Sequence, residues 1–196
     1  RVAQLTDDGV QPLVQALAGL LSRSGESVRL DSTVLNALQL TLVLPKATTF
    51  IALAAHWQKV PPLLLPILQQ VEAGQVEKTA PAVPMLVLRQ MAEVSVESAR
   101  AMFADMFSTS VVETGSLGAD PNRPLDEAAT LEDHLLKHMC SSNTLLKKLT
   151  AELIFAICEE DVQKFVGLTG MGNAAGFLHE RDLLSSLAGV VHGGPI

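Results

Sequence analysis

Leu13, Leu17, Leu20 and Leu21 recur at the three- and four-residue spacing of one helical face, behind Asp7 or Asp8 as a cap. Ser24-Gly25 breaks that pattern. Asp31 or Ser32 opens a second segment, with Val34, Leu35, Leu38 and Leu42 in register and a stop near Pro45. A third helix is predicted over about Ala47 to Lys59, with Phe50, Ile51, Ala54 and Trp57 on one side. Pro61-Pro62 forces a corner, because proline has no N–H and restricts the residue before it. A fourth helix runs from about Pro62 to Ala73, with Pro66 expected in its first turn. After a polar connection from Gly74 to Pro84, helices are predicted over Met85 to Val94 and Val96 to Phe107. Ser108 to Ala128, with Gly115, Gly118, Pro121 and Pro124, is the longest predicted loop, and loops of that length are usually functional or mobile. Thr130 then caps Leu131 to Cys140, Ser142-Asn143 caps Thr144 to Cys158, and Asp161 caps a short helix to Val166. Asn173 is expected to start the last helix, ending near Leu187, with residues 189–196 as a frayed tail.

No strand alternation competes with this pattern, so the fold class is all-α. Short helices joined by short corners suggest an α-solenoid of armadillo or HEAT type over residues 1–188. Such repeats run about 40–47 residues, which gives roughly four units here. No clean repeat motif is visible, so this expectation rests on helix length and spacing. A globular helical bundle is the alternative.

Composition agrees with packed helices. Of 196 residues, 48% are hydrophobic, 18% charged and 4% aromatic, so aliphatic side chains must supply the core. A net charge of −7 argues against nucleic-acid binding, which normally needs a basic surface. Two cysteines, Cys140 and Cys158, are too few for a disulfide framework and point to a reduced, cytosolic compartment. No apolar run reaches the ~18 residues of a membrane span. Arg1-Val2-Ala3-Gln4 has neither an initiator Met nor a signal-peptide pattern, so the chain is expected to begin partway through a longer protein.

Enzyme chemistry finds little support. Residues 170–175 fit G-x-G-x-x-A, but that dinucleotide fingerprint needs a preceding strand, and an acid ~20 residues on. Here the preceding residues look helical and the acid is missing. The motif reads instead as a helix–turn–helix corner in which Gly170 and Gly172 shape the turn and Asn173 caps. His134 and His138 have the i, i+4 spacing of zinc ligands, yet H-E-x-x-H is absent and no third and fourth ligand are evident, so both are expected to face solvent. Gly115-Ser116-Leu117-Gly118 has the wrong spacing for a nucleophile elbow. Cys158, beside Ile154, Phe155 and Ile157, is expected to be an inert core thiol. Glu159-Glu160-Asp161 reads as a solvated corner and cap. No cofactor and no metal are predicted. Lys147-Lys148, on an otherwise apolar helix, is either a solvated pair or a contact for an acidic partner on the concave face of a solenoid.

From Leu145 to Leu178 the run LLKKLTAELIFAICEEDVQKFVGLTGMGNAAGFL resembles the synembryn family, exchange factors and chaperones of G-protein α subunits. Its most specific piece is Thr169-Gly170-Met171-Gly172-Asn173-Ala174-Ala175-Gly176, where the family typically has T-G-Y-G-N-A-A-G. The preceding helix matches in Ala151, Glu152, Leu153, Ile154, Phe155 and Cys158. Weaker similarity extends through Arg123-Pro124 and the helix Leu131 to Met139, back to about Pro84. The good match covers about one third of the chain.

The resemblance implies an armadillo/HEAT-like superhelix. It also implies a protein that binds nucleotide-free G-α, promotes GDP release and assists folding of new G-α, with no catalytic side chain. The partner's C-terminal helix would dock in the concave groove, and a region after the repeats would contact its nucleotide-binding domain. Such a protein is cytoplasmic and open to recruitment to the cell cortex. The expected partner-binding residues are Lys147 and Lys148, with Thr169, Gly170, Met171, Gly172, Asn173 and Gly176 as a structural corner. Met171 departs from the usual Tyr, and Gly167 and Leu168 from the usual Lys and Tyr. The chain stops at Ile196, before the acidic, phosphorylatable segment that usually follows the repeats, so exchange by this piece alone is not expected. A generic armadillo/HEAT scaffold with another helical or acidic partner is the alternative. A nucleotide or metal enzyme is the least favoured.

Overall fold

A computed structural model describes residues 32–44, 46–54, 56–107 and 130–188, together with residues 12, 14–17 and 19. Most of the first predicted helix, the predicted loop 108–128 and the tail 189–196 lie outside the described residues. Every regular element among the described residues is helical. In chain order these are α1 (Ser32–Val43), α2 (Lys46–Ala54), a 3-10 turn (Trp57–Lys59), α3 (Pro61–Glu72), α4 (Ala82–Val94) and α5 (Val96–Met106). After the undescribed stretch come α6 (Leu131–Met139), α7 (Thr144–Ile157), α8 (Val162–Thr169), α9 (Met171–Glu180) and the single turn α10 (Ser185–Ala188).

The starts of these helices follow from local polar chemistry. Ser95 Oγ accepts the Ser98 N–H at the head of α5. Thr130 and Asp133 form a reciprocal capping box on α6, each side chain satisfying the other's backbone N–H. Asn143 Oδ1 accepts the Leu146 N–H to start α7, and Asp161 Oδ1 accepts from Gln163 and Lys164 to start α8. Each such cap contributes about 1 kcal/mol.

Several features differ from the sequence reading, and α4, for one, begins at Ala82 rather than Met85. The third helix ends at Ala54 rather than Lys59, and the chain tightens into a 3-10 turn that buries Trp57. Pro61 and Pro62 lack the N–H groups that would bond back to residues 57 and 58, so an α-helix cannot run through. Pro66 lies inside α3, beyond its first turn. The helix opened by Asp161 continues to Thr169, because Gly170 is the first residue whose backbone cannot extend it. The last predicted helix divides. α9 stops at Glu180, Asp182 takes a left-handed φ of 58°, and α10 follows.

One hydrophobic cluster, from Val14 to Leu178, joins α1 to α9. α4 is its hub: it packs most extensively on α7 and also on α1, α2, α3 and α5. α3 packs on α6, and α6 on α7. α1, α2 and α7 thus all pack against α4, and α3 against α6.

α7 has two characters. From Thr150 to Cys158 every residue is buried, as expected of a helix apolar on all sides. The Thr150 hydroxyl donates to the Leu146 carbonyl within its own helix. The first turns, by contrast, expose Leu145, Lys147 and Lys148. The buried half anchors the helix, and the other half offers its lysines to solvent.

Candidate functional site

The exposed end of α7 forms one wall of a groove of about 350 Å3. Lys147, Lys148 and Ala151 line that wall, Met139 and Ser141 close the α6 end, and Asn173, Gly176 and Phe177 form the facing wall on α9. Glu180 lines the groove as well, so its charged side chains are two lysines and one carboxylate. Lys148 Nζ stands 4.0 Å from Glu180 Oε2, with both side chains mostly in water, so this pair holds neither group firmly. Lys147 has no ion-pair partner among the described residues.

Asn173 braces the groove. Its Nδ2 donates to the Thr169 carbonyl at 2.9 Å, satisfying a free acceptor at the end of α8. Its Oδ1 accepts from the Cys140 thiol at 3.1 Å, at the C-terminus of α6. One side chain thus ties α6, α8 and α9 together. It does so from the third position of α9, not as the N-cap that the sequence suggested.

Gly170 serves as the C-cap of α8 and the N-cap of α9 at once, with φ 77° and ψ 147°. That conformation is open essentially to glycine alone. Gly172 does not share the role: it lies inside α9 with ordinary helical backbone. The element before this glycine motif is α8, a helix, which leaves no strand to form a dinucleotide site.

A second cluster stiffens α9. Arg181 donates to Glu152 on α7 and lies over the rings of Phe155 and Phe177, at 5.5 and 5.0 Å. Arg89 on α4 approaches the same carboxylate at 3.4 Å. Burial would raise the Glu152 carboxyl, but the Arg181 hydrogen bond and the charge of Arg89 outweigh it and hold it below its ordinary value. Phe155, Phe165 and Phe177 pack ring on ring with centroids 5.2 to 5.4 Å apart.

Residues 65–192 match the family model of the guanine nucleotide exchange factor synembryn, Ric8. The chain belongs to the synembryn family. Relatives include the chaperone Ric-8A of Xenopus laevis, 44% identical over 64 residues, that of Gallus gallus, 41% over 64, and the chaperone Ric-8 of Drosophila pseudoobscura pseudoobscura, 38% over 68. In each case the aligned part is 33% of this chain and 12% of the relative. The synembryn-like motif Thr169–Gly176 therefore sits at the α8–α9 joint and along one wall of the groove. Thr169 is buried, its hydroxyl donating to the Phe165 carbonyl, whereas Met171 is half exposed. Asn173 and Gly176 share the groove with Lys147 and Lys148.

The histidines correct the sequence reading. His134 and His138 are buried, with 4% and 6% exposure, rather than facing solvent. They turn toward Glu72 at the end of α3. Glu72 Oε1 lies 2.7 Å from His134 Nδ1 and 3.2 Å from His138 Nε2, and Oε2 accepts from Lys137 at 2.7 Å. Burial would raise the Glu72 carboxyl, but hydrogen bonds from Lys137 and His134 prevail and lower it. Among the described residues no group of three potential ligands is placed to hold a metal ion. Glu72, Arg181 and Glu152 were missed in the sequence because their partners lie far away along the chain. Cys158 is fully buried, and burial pushes its thiol up to about 12. At the next corner Glu159 pairs with Arg100 and Lys164, and Asp161 caps α8. No described helix is long and apolar enough to cross a membrane.

Proposed function

We propose that this chain is part of an exchange factor and folding chaperone for heterotrimeric G-protein α subunits, acting in the cytoplasm and recruited from there to the cell cortex. The observation that carries this reading is the synembryn match over residues 65–192, which contains the whole lysine-lipped groove. The curated relatives are named chaperones. Short helices that bury one continuous apolar cluster are what an armadillo/HEAT-like solenoid would need.

In this reading the groove between α7 and α9 receives a helical segment of the α subunit, apolar residues on the floor and acidic ones against Lys147 and Lys148. Exchange then needs no proton transfer and no nucleophile. A protein that binds the nucleotide-free state and not the GDP-bound state shifts the balance toward release. A thousandfold preference for that state corresponds to about 4.1 kcal/mol. The same preference protects a newly made α subunit before it acquires nucleotide.

The test is capture of G-α by the full-length protein, with nucleotide-free and GDP-loaded α subunit in parallel. Strong capture of the nucleotide-free form and weak capture of the GDP form is expected. Equal capture of both, or capture of neither, would sink the proposal and leave a helical scaffold for some other partner.

A further inference from the structure

We propose that Glu72, His134, Lys137 and His138 form a proton-operated latch that clamps α6 to α3 and, on acidification, loosens the α6 edge of the groove. The latch stands on the geometry of this cluster; only its effect on partner binding rests on the function proposed above.

One carboxylate faces three basic side chains. Glu72 Oε2 accepts from Lys137, and Oε1 accepts from His134 Nδ1, with His138 Nε2 nearby at 3.2 Å. Lys137 and His134 already engage both oxygens of Glu72. A proton added to His138 is therefore surplus positive charge in a place largely closed to water. Among the described residues His138 Nε2 faces only Glu72 Oε1, at 3.2 Å and already engaged by His134, so that proton gains no acceptor of its own. A buried N–H with no acceptor costs free energy that an exposed imidazolium does not.

The charged surroundings are few. Glu72 is the only charged residue of α3, and the elements packed on α3 carry His56 and Lys59 at the 3-10 turn and the Arg89–Glu93 pair on α4. On α6, Glu132 and Asp133 stand in the first turn, Asp133 within the capping box. On α7, Lys147 and Lys148 are exposed on the groove side and Glu152 is held by Arg181 and Arg89. Burial lowers His138 from its ordinary value of 6.5 despite the raising pull of Glu72, and the charges of His134 and Lys137 add to the lowering. The folded form thus keeps His138 neutral at a pH where the unfolded chain has taken up a proton. The stability so contributed is complete above about 6.5 and drains as pH falls below that value.

The consequence reaches the groove because α6 ends there. Met139 and Ser141 line it, and Cys140 between them contacts Asn173. An α6 released from α3 withdraws both its floor residue and its link to α9.

Hydrogen exchange on the full-length protein at pH 7.5 and 5.8, corrected for the intrinsic pH dependence, tests the latch without any partner. Opening of α6 is expected to increase by up to about tenfold per pH unit below 6.5, the limit for uptake of one proton. The buried half of α7 should stay protected. In His138→Gln the pH dependence of α6 should vanish, and His134→Gln, which should reduce it, keeps the test alive if the first variant does not fold. No rise in the wild type, or an equal rise in the variants, overturns the latch. Capture of G-α at the two pH values then tests the consequence: loss at pH 5.8 in the wild type but not in His138→Gln supports it. Opening of α6 without loss of capture overturns the link to the groove and leaves the latch standing.

Discussion

Gly170→Ala and Gly176→Ala should shift stability in opposite directions, although a β-carbon at either position meets no atom within 4 Å. The difference lies in the backbone alone. Gly170 holds φ 77° and ψ 147°, a region that costs an L-residue about 1–3 kcal/mol. Gly176 is an ordinary residue inside α9, where Ala is favoured over Gly by about 0.5–1 kcal/mol. For a chain of this size 1 kcal/mol moves Tm by about 2–4 °C. Gly170→Ala should therefore melt several degrees lower, and Gly176→Ala slightly higher. Urea titrations would report both as displaced midpoints with unchanged slope. Gly170→Asn sharpens the contrast. Asparagine tolerates the left-handed helical region, whose ψ is about 47°, but not an extended ψ at positive φ. It should therefore fail to rescue. A neutral Gly170→Ala, a rescuing asparagine or a destabilising Gly176→Ala would refute the reasoning. Gly176 also lines the groove, so its methyl group should weaken partner capture while raising stability.

Three further outcomes follow from the same geometry. Lys147→Glu with Lys148→Glu should slow association with G-α roughly tenfold at low salt and much less at high salt, with unchanged melting; stopped-flow binding that is indifferent to the double substitution removes these lysines from the site. Arg181→Ala deprives Glu152 of its hydrogen bond and uncovers the Phe155 and Phe177 rings, and with Arg89 still in place the expected loss in a urea titration is about 2 kcal/mol. Arg181→Lys should recover less than half of it, and a loss under about 0.5 kcal/mol would mean the cluster is not structural. An aromatic disulfide reagent should titrate one thiol, that of the exposed Cys140, in the native protein and two after unfolding; comparable native reactivity of both would contradict the burial of Cys158.

The sequence was most legible where the physics is short-range. Thr130, Asn143 and Asp161 were each recognised as caps because their acceptors reach N–H groups only two or three residues ahead. The apolar face of α7 was read correctly for a similar reason, since periodicity records burial. The histidines failed because an i, i+4 pair among Glu132, Asp133 and Lys137 looks solvated until Glu72 arrives from 62 residues away. Asn173 failed differently. A capping residue beside a glycine predicts an N-cap, but Gly170 already occupies that position, and Asn173 is freed to bond backward to Thr169 and across to Cys140. The groove itself was only half visible. Its lysines and its motif residues were both singled out, but their meeting depends on α9 folding back along α7.

That meeting gives the glycine motif its meaning. A motif rich in glycine suggests a surface built to touch a ligand, yet Thr169 is spent on the Phe165 carbonyl and Gly170 on the reversal between two helices. Asn173 spends its amide on the ends of two other helices. What faces outward from the motif is Met171 and the bare backbone at Gly172 and Gly176. On the neighbouring wall Lys147 and Lys148 project from a helix whose other half is buried in the core. The motif aims the groove, and α7 supplies its positive charge. The family signature thus marks the joint between α8 and α9, across the groove from Lys147 and Lys148.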